Sequence, residues 1–569
     1  MARIISPPNS NIMFKLRSLR LDGESLVVLM GTVFVAGLLF LTAIDAGPLW
    51  RDEVNTANVA QMPSVQALWQ SLPCESFPPL WPLLLRGSDW LGLVGGDGSI
   101  RVLGLYVGMF FLGALWLCTL WLGCRAPTLS IGLLGCLPVF IFIIGSNRAY
   151  GLACGLLVLT FGALWRMVEC PSKPRILMAA LASFLYVHCV YYDAVFLAAM
   201  LAGGAAVTLR RRQWKLLGLL VGIGLACAIS LFLYWPIIRQ GSNHPMMARW
   251  PGFNFAFLWA QIADAVTARS SAAYGPHGDE IWLWIALLAG GLLAALAVQK
   301  PRIPPTSSAA PAVQRRAELA LFCSVSMLIG AAGLLSFLYR LQFPTEKWYY
   351  MEMLCLCAVS LDGLLGANWS AWRPWGLLRV CLMLATMAWF MNAAWSEAHT
   401  RRSNVDLIAA VLNKSASDKD LIVVENAWEG ITFNRYYNGT AHWVTVPPLA
   451  SHLVHRNDLM FERMGQPEAL APVLTDITNT LAAGHAVWLL GRLSNQRPEP
   501  LRPKPSSEWL GAYLLYWNTQ VSAALLDHAT QQQVLEIAKG ERVSYLEDIP
   551  AIRFQGYRSG EGYSPKAEK

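Results

Sequence analysis

The sequence predicts a polytopic α-helical membrane protein with a C-terminal soluble α/β domain. Three observations predict it. Of 569 residues, 55% are hydrophobic and only 14% are charged, and the mean hydropathy is +0.41. Apolar runs long enough to cross a bilayer recur as far as Trp395. Beyond Trp395 the pattern changes to polar, helix-period segments separated by short strand-type runs.

The apolar-length criterion gives about eleven crossings. They lie near residues 25–44, 101–123, 127–145, 149–168, 176–191, 193–209, 215–237, 281–299, 317–338, 349–366 and 376–395. The first run, Ser25 to Ala46, exceeds a signal-peptide core and no small-residue cleavage site follows it, so it is expected to stay in the membrane. Lys15, Arg17 and Arg20 precede it, and alternate loops carry Arg125, Lys173 with Arg175, Arg210 to Arg212, Lys300 with Arg315 and Arg316, and Arg373. Basic loops stay cytoplasmic. The N-terminus is therefore expected inside. The outer segments are then the loop 45–100, the loop 238–280, the turn from Arg340 to Trp348 and the whole chain after residue 395. The net charge of +8 is spread over many loops and gathers in no single tract, which speaks against a nucleic-acid partner.

Lys300 to Arg316, rich in Pro, Ser and Ala with basic ends, reads as a flexible cytoplasmic linker between two groups of helices. In the tail, a helix is expected to end near Asn413, Ser417 to Asp420 to form a turn, and Leu421 to Val424 to form a buried strand. Further helices are expected at 466–483 and 521–539, and strands at His442 to Val446, Ala486 to Leu490 and Arg542 to Leu546. The chain thus divides into a transmembrane domain, 1–395, with its first outer loop at 45–100, and an extracytoplasmic α/β domain, 396–569. Eleven of the twelve cysteines lie in or beside apolar runs, so no disulfide framework is implied. There is no CxxC, HExxH or His-rich cluster to hold a structural zinc; a divalent metal ion on the Asp52 and Glu53 carboxylates stays open as a cofactor.

Directly after the first span stands Trp50-Arg51-Asp52-Glu53. Acids beside a membrane are costly to desolvate, and chains that keep them there generally handle ions, protons or substrates; solvated loop charge is the plain alternative. The same side gathers further polar residues. Pro78 and Pro79 forbid a regular helix start before an amphipathic segment that ends near Gly92. Arg101 opens one span; Arg148 and Tyr150 open another. Lys347 with Trp348 and Tyr349 precedes a third, while His188 and Tyr192 mark an outer turn. Orientation does not need outer cations, and clustering them is unfavourable without an anion, so a phosphate-bearing lipid is the economical partner. For each arginine alone, snorkelling to lipid headgroups is the alternative.

The chain resembles the C-type integral-membrane glycosyltransferases, in particular the bacterial relatives of protein O-mannosyltransferase and the lipid A aminoarabinose transferase. The resemblance rests on the ordered set Arg51-Asp52-Glu53, Pro78-Pro79-Leu80, Arg101 and Arg148 to Leu152, and covers the first 200 residues or so. Lys347-Trp348-Tyr349 departs from it, where relatives often carry an arginine–tyrosine pair. The resemblance implies an enzyme of a bacterial inner (plasma) membrane that moves a hexosyl or pentosyl group from a polyprenyl-phosphate donor to a lipid, glycan or protein acceptor on the outer face. It implies Asp52 as general base or orienter, with Glu53 sharing that role or holding a metal. Arg101, Arg148, Tyr150, Tyr192 and Lys347 would hold the donor phosphate, and Arg51, His188, Pro78 and Pro79 would line the acceptor pocket.

The rival from another class is a transporter or flippase of lipid-linked sugars, which would carry ionisable groups near mid-membrane and internal repeats. No repeat is visible, and only Glu352 and Asp362 break the surface placement of charge. A membrane scaffold with a recognition domain, the third reading, has no need of the clustered outer acids and arginines.

Overall fold

The computed structural model describes residues 22–558, apart from 76, 94–95, 243–251, 273–277, 300–309, 368–372, 497–502 and 504–509. Among the described residues, nine helices are long and apolar enough to cross a membrane. Met30, Val33, Leu225, Ile229, Leu293 and Leu296 lie exposed on their outer surfaces, where a hydrocarbon phase suits them and water does not.

The other two predicted crossings take different forms. The run 127–145 is broken into Thr128–Leu134 and Pro138–Ile144. Pro138 supplies no N–H to the preceding turn and holds Leu137 extended, at φ −70° and ψ 123°. The run 176–191 forms a 15-residue helix, Lys173–Val187. The first of the two pieces starts against Asp362, whose carboxylate reaches across the bundle to accept from the N–H groups of Leu129 and Ser130 at 2.9 and 3.1 Å and so caps that helix start from outside. The expected linker is corrected in part. Residues 300–309 lie outside the described residues, but Ala310–Leu341 is one continuous helix, so Pro311 to Arg316 form its first turns. Proline is tolerated there because first-turn N–H groups have no partner inside the helix.

The bundle leads into the tail through the helix Arg373–Ala398. The tail folds as a five-stranded sheet of order β2-β1-β3-β5-β4, with β1 Leu421–Val424, β2 His442–Thr445, β3 Val487–Leu490, β4 Gln531–Leu535 and β5 Ala551–Gln555. β1 pairs parallel with β2 and β3, and β5 is antiparallel to both β3 and β4. Two expectations are overturned. The helix expected over 521–539 is Leu510–His528 followed by β4, and the strand expected at Arg542 to Leu546 is an irregular segment, its place in the sheet taken by β5. Tertiary pairing decides both. Gln531 to Gln533 carry no strand signal of their own and become an edge strand by pairing with β5, while Ser544 N–H donates to Arg401 O and Tyr545 N–H to Ser271 O, which ties that segment to the bundle.

The tail is anchored to the bundle by buried polar contacts. Arg402, 2% exposed, pairs with Glu397 at 2.6 Å, lies 4.0 Å over the Phe142 ring, and donates from its backbone to Ala46 O. Arg435 pairs with Asp97 at 2.6 Å, and Tyr436 O–H accepts from Leu49 N–H at 2.8 Å.

Candidate functional site at the bundle–tail junction

The first outer loop turns into a helix, Arg51–Ala60, capped by Trp50. Glu53, three residues on, turns back so that Oε2 accepts from the Trp50 N–H at 3.4 Å, the geometry of a capping box. Glu53 is fully buried, and its Oε1 accepts from Arg101 at 2.6 Å and from Asn147 N–H at 2.7 Å. Arg101 in turn donates to Pro48 O at 2.7 Å. Close approach makes this possible: a Cβ on Gly104 would meet Gly145 O at 2.1 Å, so the glycine lets the Asp97–Leu122 helix lie against the loop that carries Asn147. Glu53 and Arg101 therefore lock three chain segments together.

Asp52 is the neighbouring residue and has separate partners. Its side chain is 24% exposed, and its carboxylate lies 3.3 Å from His455 Nε2, 3.6 Å from Arg51 Nε and 3.8 Å from Arg148 Nη2. Burial alone would raise its pKa, but the His455 hydrogen bond and the charges of Arg148, His455 and Arg51 hold it well below the usual carboxylate range. Asp52 and Glu53 share no partner, and Glu53 is already committed to Arg101 and Asn147. Among the described residues no group of three His, Cys, Asp or Glu side chains converges as metal ligands. The two carboxylates do not fit a shared ion.

Arg148 caps the helix Ala149–Glu169. Its Nη1 donates inward, to Asp52 O at 2.9 Å, Thr56 Oγ1 at 2.7 Å and Glu75 Oε1 at 3.0 Å, and the guanidinium lies 4.3 Å over the Phe77 ring. Nη2 is the nitrogen that faces the Asp52 carboxylate. Glu75 also accepts from Asn55 and Thr56, at 2.9 and 2.8 Å. Beside this network stand three tyrosines: Tyr150 meets Phe77 edge-on at 5.0 Å, and Tyr349 lies 6.1 Å from Tyr150 and 6.3 Å from Tyr192. Lys347 is buried, with Nζ 5.4 Å from the Tyr545 ring, and forms no ion pair among the described residues. Arg51 lies 5.9 Å from the rings of both Trp50 and Trp428.

The structure thus gathers Arg51, Asp52, Arg148, Tyr150 and Tyr192 around one junction with Lys347 at its tail-covered side, and places the other sequence-derived residues differently. Arg101 is 5% exposed, with Nη1 on Glu53 and Nη2 on Pro48 O. His188 packs against Phe184 and Tyr234 at 4.6 and 5.5 Å. Pro78 and Pro79 are buried, and Pro79 caps the helix Leu80–Trp90, so what they provide is backbone direction.

The tail supplies what the sequence did not announce. His455 follows β2, and its N–H donates to Asn55 Oδ1 at 2.8 Å, which fixes the loop that brings the imidazole to Asp52. Leu453 O accepts from Asn58 at 2.8 Å. Two tail acids face Arg51. Burial, with the charges of Glu425 and Glu547, raises Glu429 to about 8, and burial raises Glu547 to about 7 even though a Thr432 hydrogen bond and Arg51 oppose it. Asn147 could have been suspected from its place beside Arg148; nothing local marks His455 or Glu547.

No family model matches the chain, and no curated protein matches it. Among solved structures it is similar to ArnT from Cupriavidus metallidurans bound to undecaprenyl phosphate, at 14% identity over 94% of this chain and 98% of that one, with a TM-score of 0.37. The apo state of ArnT from the same organism matches at 15% identity over 81% of this chain and 92% of that one, with a TM-score of 0.36.

Proposed function

We propose that this chain is a C-type integral-membrane glycosyltransferase of a bacterial inner membrane. It moves a sugar from a polyprenyl-phosphate donor to an acceptor hydroxyl on the outer face. The observation that carries this reading is Asp52, an ionised, partly exposed carboxylate held loosely among three cationic or polar nitrogens where the bundle meets the tail. The acceptor oxygen attacks the anomeric carbon as the bond from that carbon to the phosphate oxygen breaks. Asp52 accepts the hydrogen bond from the attacking hydroxyl and directs its lone pair, taking the proton as the new bond forms. Its depressed pKa keeps it charged at working pH and makes it a stronger orienter than base. The departing phosphate gains negative charge, which Arg51, Lys347 and Nη2 of Arg148 stabilise, with Tyr150 and Tyr192 at hand as donors. Glu53 and Arg101 hold the helix that carries Asp52 and touch neither reactant.

The transporter reading is weakened by particular contacts. Of the two acids that favoured it, Asp362 caps a broken helix and Glu352 accepts from Tyr186, so both have structural work. The test is mass spectrometry of envelope lipids, polysaccharides and proteins from cells with the chain, without it, and with Asp52→Asn. One sugar missing from one acceptor in the second and third strains supports transfer. An unchanged glycan profile with lipid-linked sugar accumulating on the inner leaflet supports transport instead.

A further inference from the structure

The three parallel strands of the tail all point their carboxyl ends toward the Asp52 junction. The segment after β1 carries Trp428 to Arg51, the segment after β2 carries His455 to Asp52, and the segment after β3 begins with Gly491 and Arg492. β1 lies between β2 and β3, so the sheet order switches direction at β1, and in open α/β sheets ligands bind in the crevice outside the carboxyl ends at such a switch point. A cavity of about 380 Å³ lies there, lined by Glu425, Asn426, Arg492, Ser494 and Asn518 with Leu514 as an apolar wall. Its volume falls within the range of small-molecule clefts, roughly 300–1,000 Å³.

The crevice is organised before any ligand enters. Gly491, at φ +148°, has no Cβ to meet Glu425 Oε2, where one would stand 2.1 Å away; the carboxylate therefore lies over the backbone and accepts from the Arg492 N–H. Asn518 Nδ2 donates to Glu425 and, at 2.8 Å, to Arg492 O, and Ser522 O–H donates to Asn518 Oδ1 at 3.2 Å. Each carboxylate oxygen keeps a second lone pair, and the exposed Arg492 side chain brings five N–H donors to the rim. Donors and acceptors alternate around the wall. One positive and one negative side chain leave it without net charge, the signature of a site for a neutral polyol whose hydroxyls both donate and accept.

We propose that this crevice is a carbohydrate-binding site that holds the glycan part of the acceptor and presents its hydroxyl toward Asp52 through the Glu425–Trp428 turn. The role as acceptor site rests on the glycosyl-transfer reading; the binding of carbohydrate does not.

The experiment is saturation-transfer NMR on the full chain in detergent, with the methyl glycosides of glucose, galactose, mannose and N-acetylglucosamine as probes, for the parent chain and for Arg492→Ala, Ser494→Met and Asp52→Asn. Arg492 is exposed and Ser494 is half-buried, so both variants are expected to fold, which the thermal melt checks. At least one glycoside should bind the parent chain and Asp52→Asn equally. Its affinity should fall roughly tenfold or more in Arg492→Ala, the effect of one lost charge-assisted hydrogen bond, and also fall in the cavity-filling Ser494→Met. Absence of binding by every glycoside, binding unchanged in both crevice variants, or displacement of the glycoside by inorganic phosphate would each overturn the proposal. Crevice-dependent binding together with an envelope glycan profile that is unchanged in cells lacking the chain would retain the carbohydrate site and remove the glycosyl-transfer reading.

Discussion

The two ends of the helical bundle are both rich in ionisable side chains, yet they are wired differently. At the end away from Asp52, each of the named cations closes on an acid: Arg125 on Asp22 at 2.7 Å, Arg379 on Glu24 at 2.6 Å, Arg211 on Glu318 at 2.5 Å, and Arg315 on Glu169. At the Asp52 end the closed pairs Glu53–Arg101 and Arg402–Glu397, both at 2.6 Å, stand beside an open cluster in which Asp52 is 3.3 to 3.8 Å from its neighbours and Lys347 has no ion pair among the described residues. Closed contacts at hydrogen-bond distance are anchors. Asp52 keeps a hydrogen bond to His455 at 3.3 Å, but Arg51 and Arg148 stand past that distance, at 3.6 and 3.8 Å, which leaves field and lone pairs for a reactant and marks where chemistry can enter.

Breaking an anchor should produce the largest effect. Glu53→Ala leaves Arg101 and Asn147 without their buried acceptor, and removing one partner of a buried pair costs about 3–5 kcal/mol. The variant is expected to melt well below the parent or to fail to accumulate. Pairing it with Arg101→Met should recover much of the loss, because the double variant no longer buries an unpaired charge. Failure of the double variant to recover would mean that Glu53 does more than hold Arg101.

Opening the loose cluster should do the opposite, sparing the fold and stopping the reaction. Asp52→Asn keeps size and spacing and is expected to melt within a few degrees of the parent, while turnover falls by roughly 100-fold or more, as for loss of a general base or orienter. Near-parent turnover would remove Asp52 from the mechanism. Arg148→Lys sharpens the comparison from the cation side. Lysine keeps the charge but cannot donate at once inward to Thr56 and Glu75 and outward to Asp52, so turnover should drop although the net charge is unchanged. Equal activity would assign Arg148 to charge alone.

The anchors and the loose cluster were unequally legible in the sequence. Helical spans announce themselves by length and apolarity, and Asp52 and Arg148 by charge where charge is costly. The adjacent Asp52 and Glu53 could not be told apart, because which of two neighbouring acids meets Arg101 depends on the 3.6-residue turn of a helix whose start is set by Trp50. His455 was invisible: it lies 403 positions from Asp52 and reaches it only through the pairing of β2 with β1. The same non-local pairing made an edge strand of Gln531 to Leu535. The cap on the helix Thr128–Leu134 was equally hidden, because the carboxylate that accepts from Leu129 and Ser130 is Asp362, more than 200 positions away.

At the far end of the bundle, a surface pair supplies the control. Arg125 and Asp22 have side chains 53% and 37% exposed, and Arg125→Ala should cost at most about 1 kcal/mol and leave turnover unchanged. A large loss of activity there would contradict the division between the two ends.

The smallest effect is a pH dependence located between the loose cluster and the tail. Glu547, 1% exposed, titrates near 7 in the folded chain against an ordinary 4.5, chiefly because of burial, and Glu429 near 8 for the same reason. A carboxyl whose folded pKa is raised holds a proton that the unfolded chain has already released. Its contribution is therefore neutral below about pH 4.5, becomes a penalty that grows from there up to the folded value, near 7 for Glu547 and 8 for Glu429, and is constant above that value. Glu547→Gln removes that penalty while keeping an oxygen to accept from Thr432, which donates to Glu547 at 2.7 Å. The melting temperature of Glu547→Gln minus that of the parent should be near zero below about pH 4.5, rise between about pH 4.5 and 7, and level off above about pH 7. A difference that does not change with pH would show that Glu547 is ionised at neutral pH, drawn into the Arg51 cluster as a further anion beside Asp52, and the junction would then carry more negative charge than the loose arrangement of Asp52 implies.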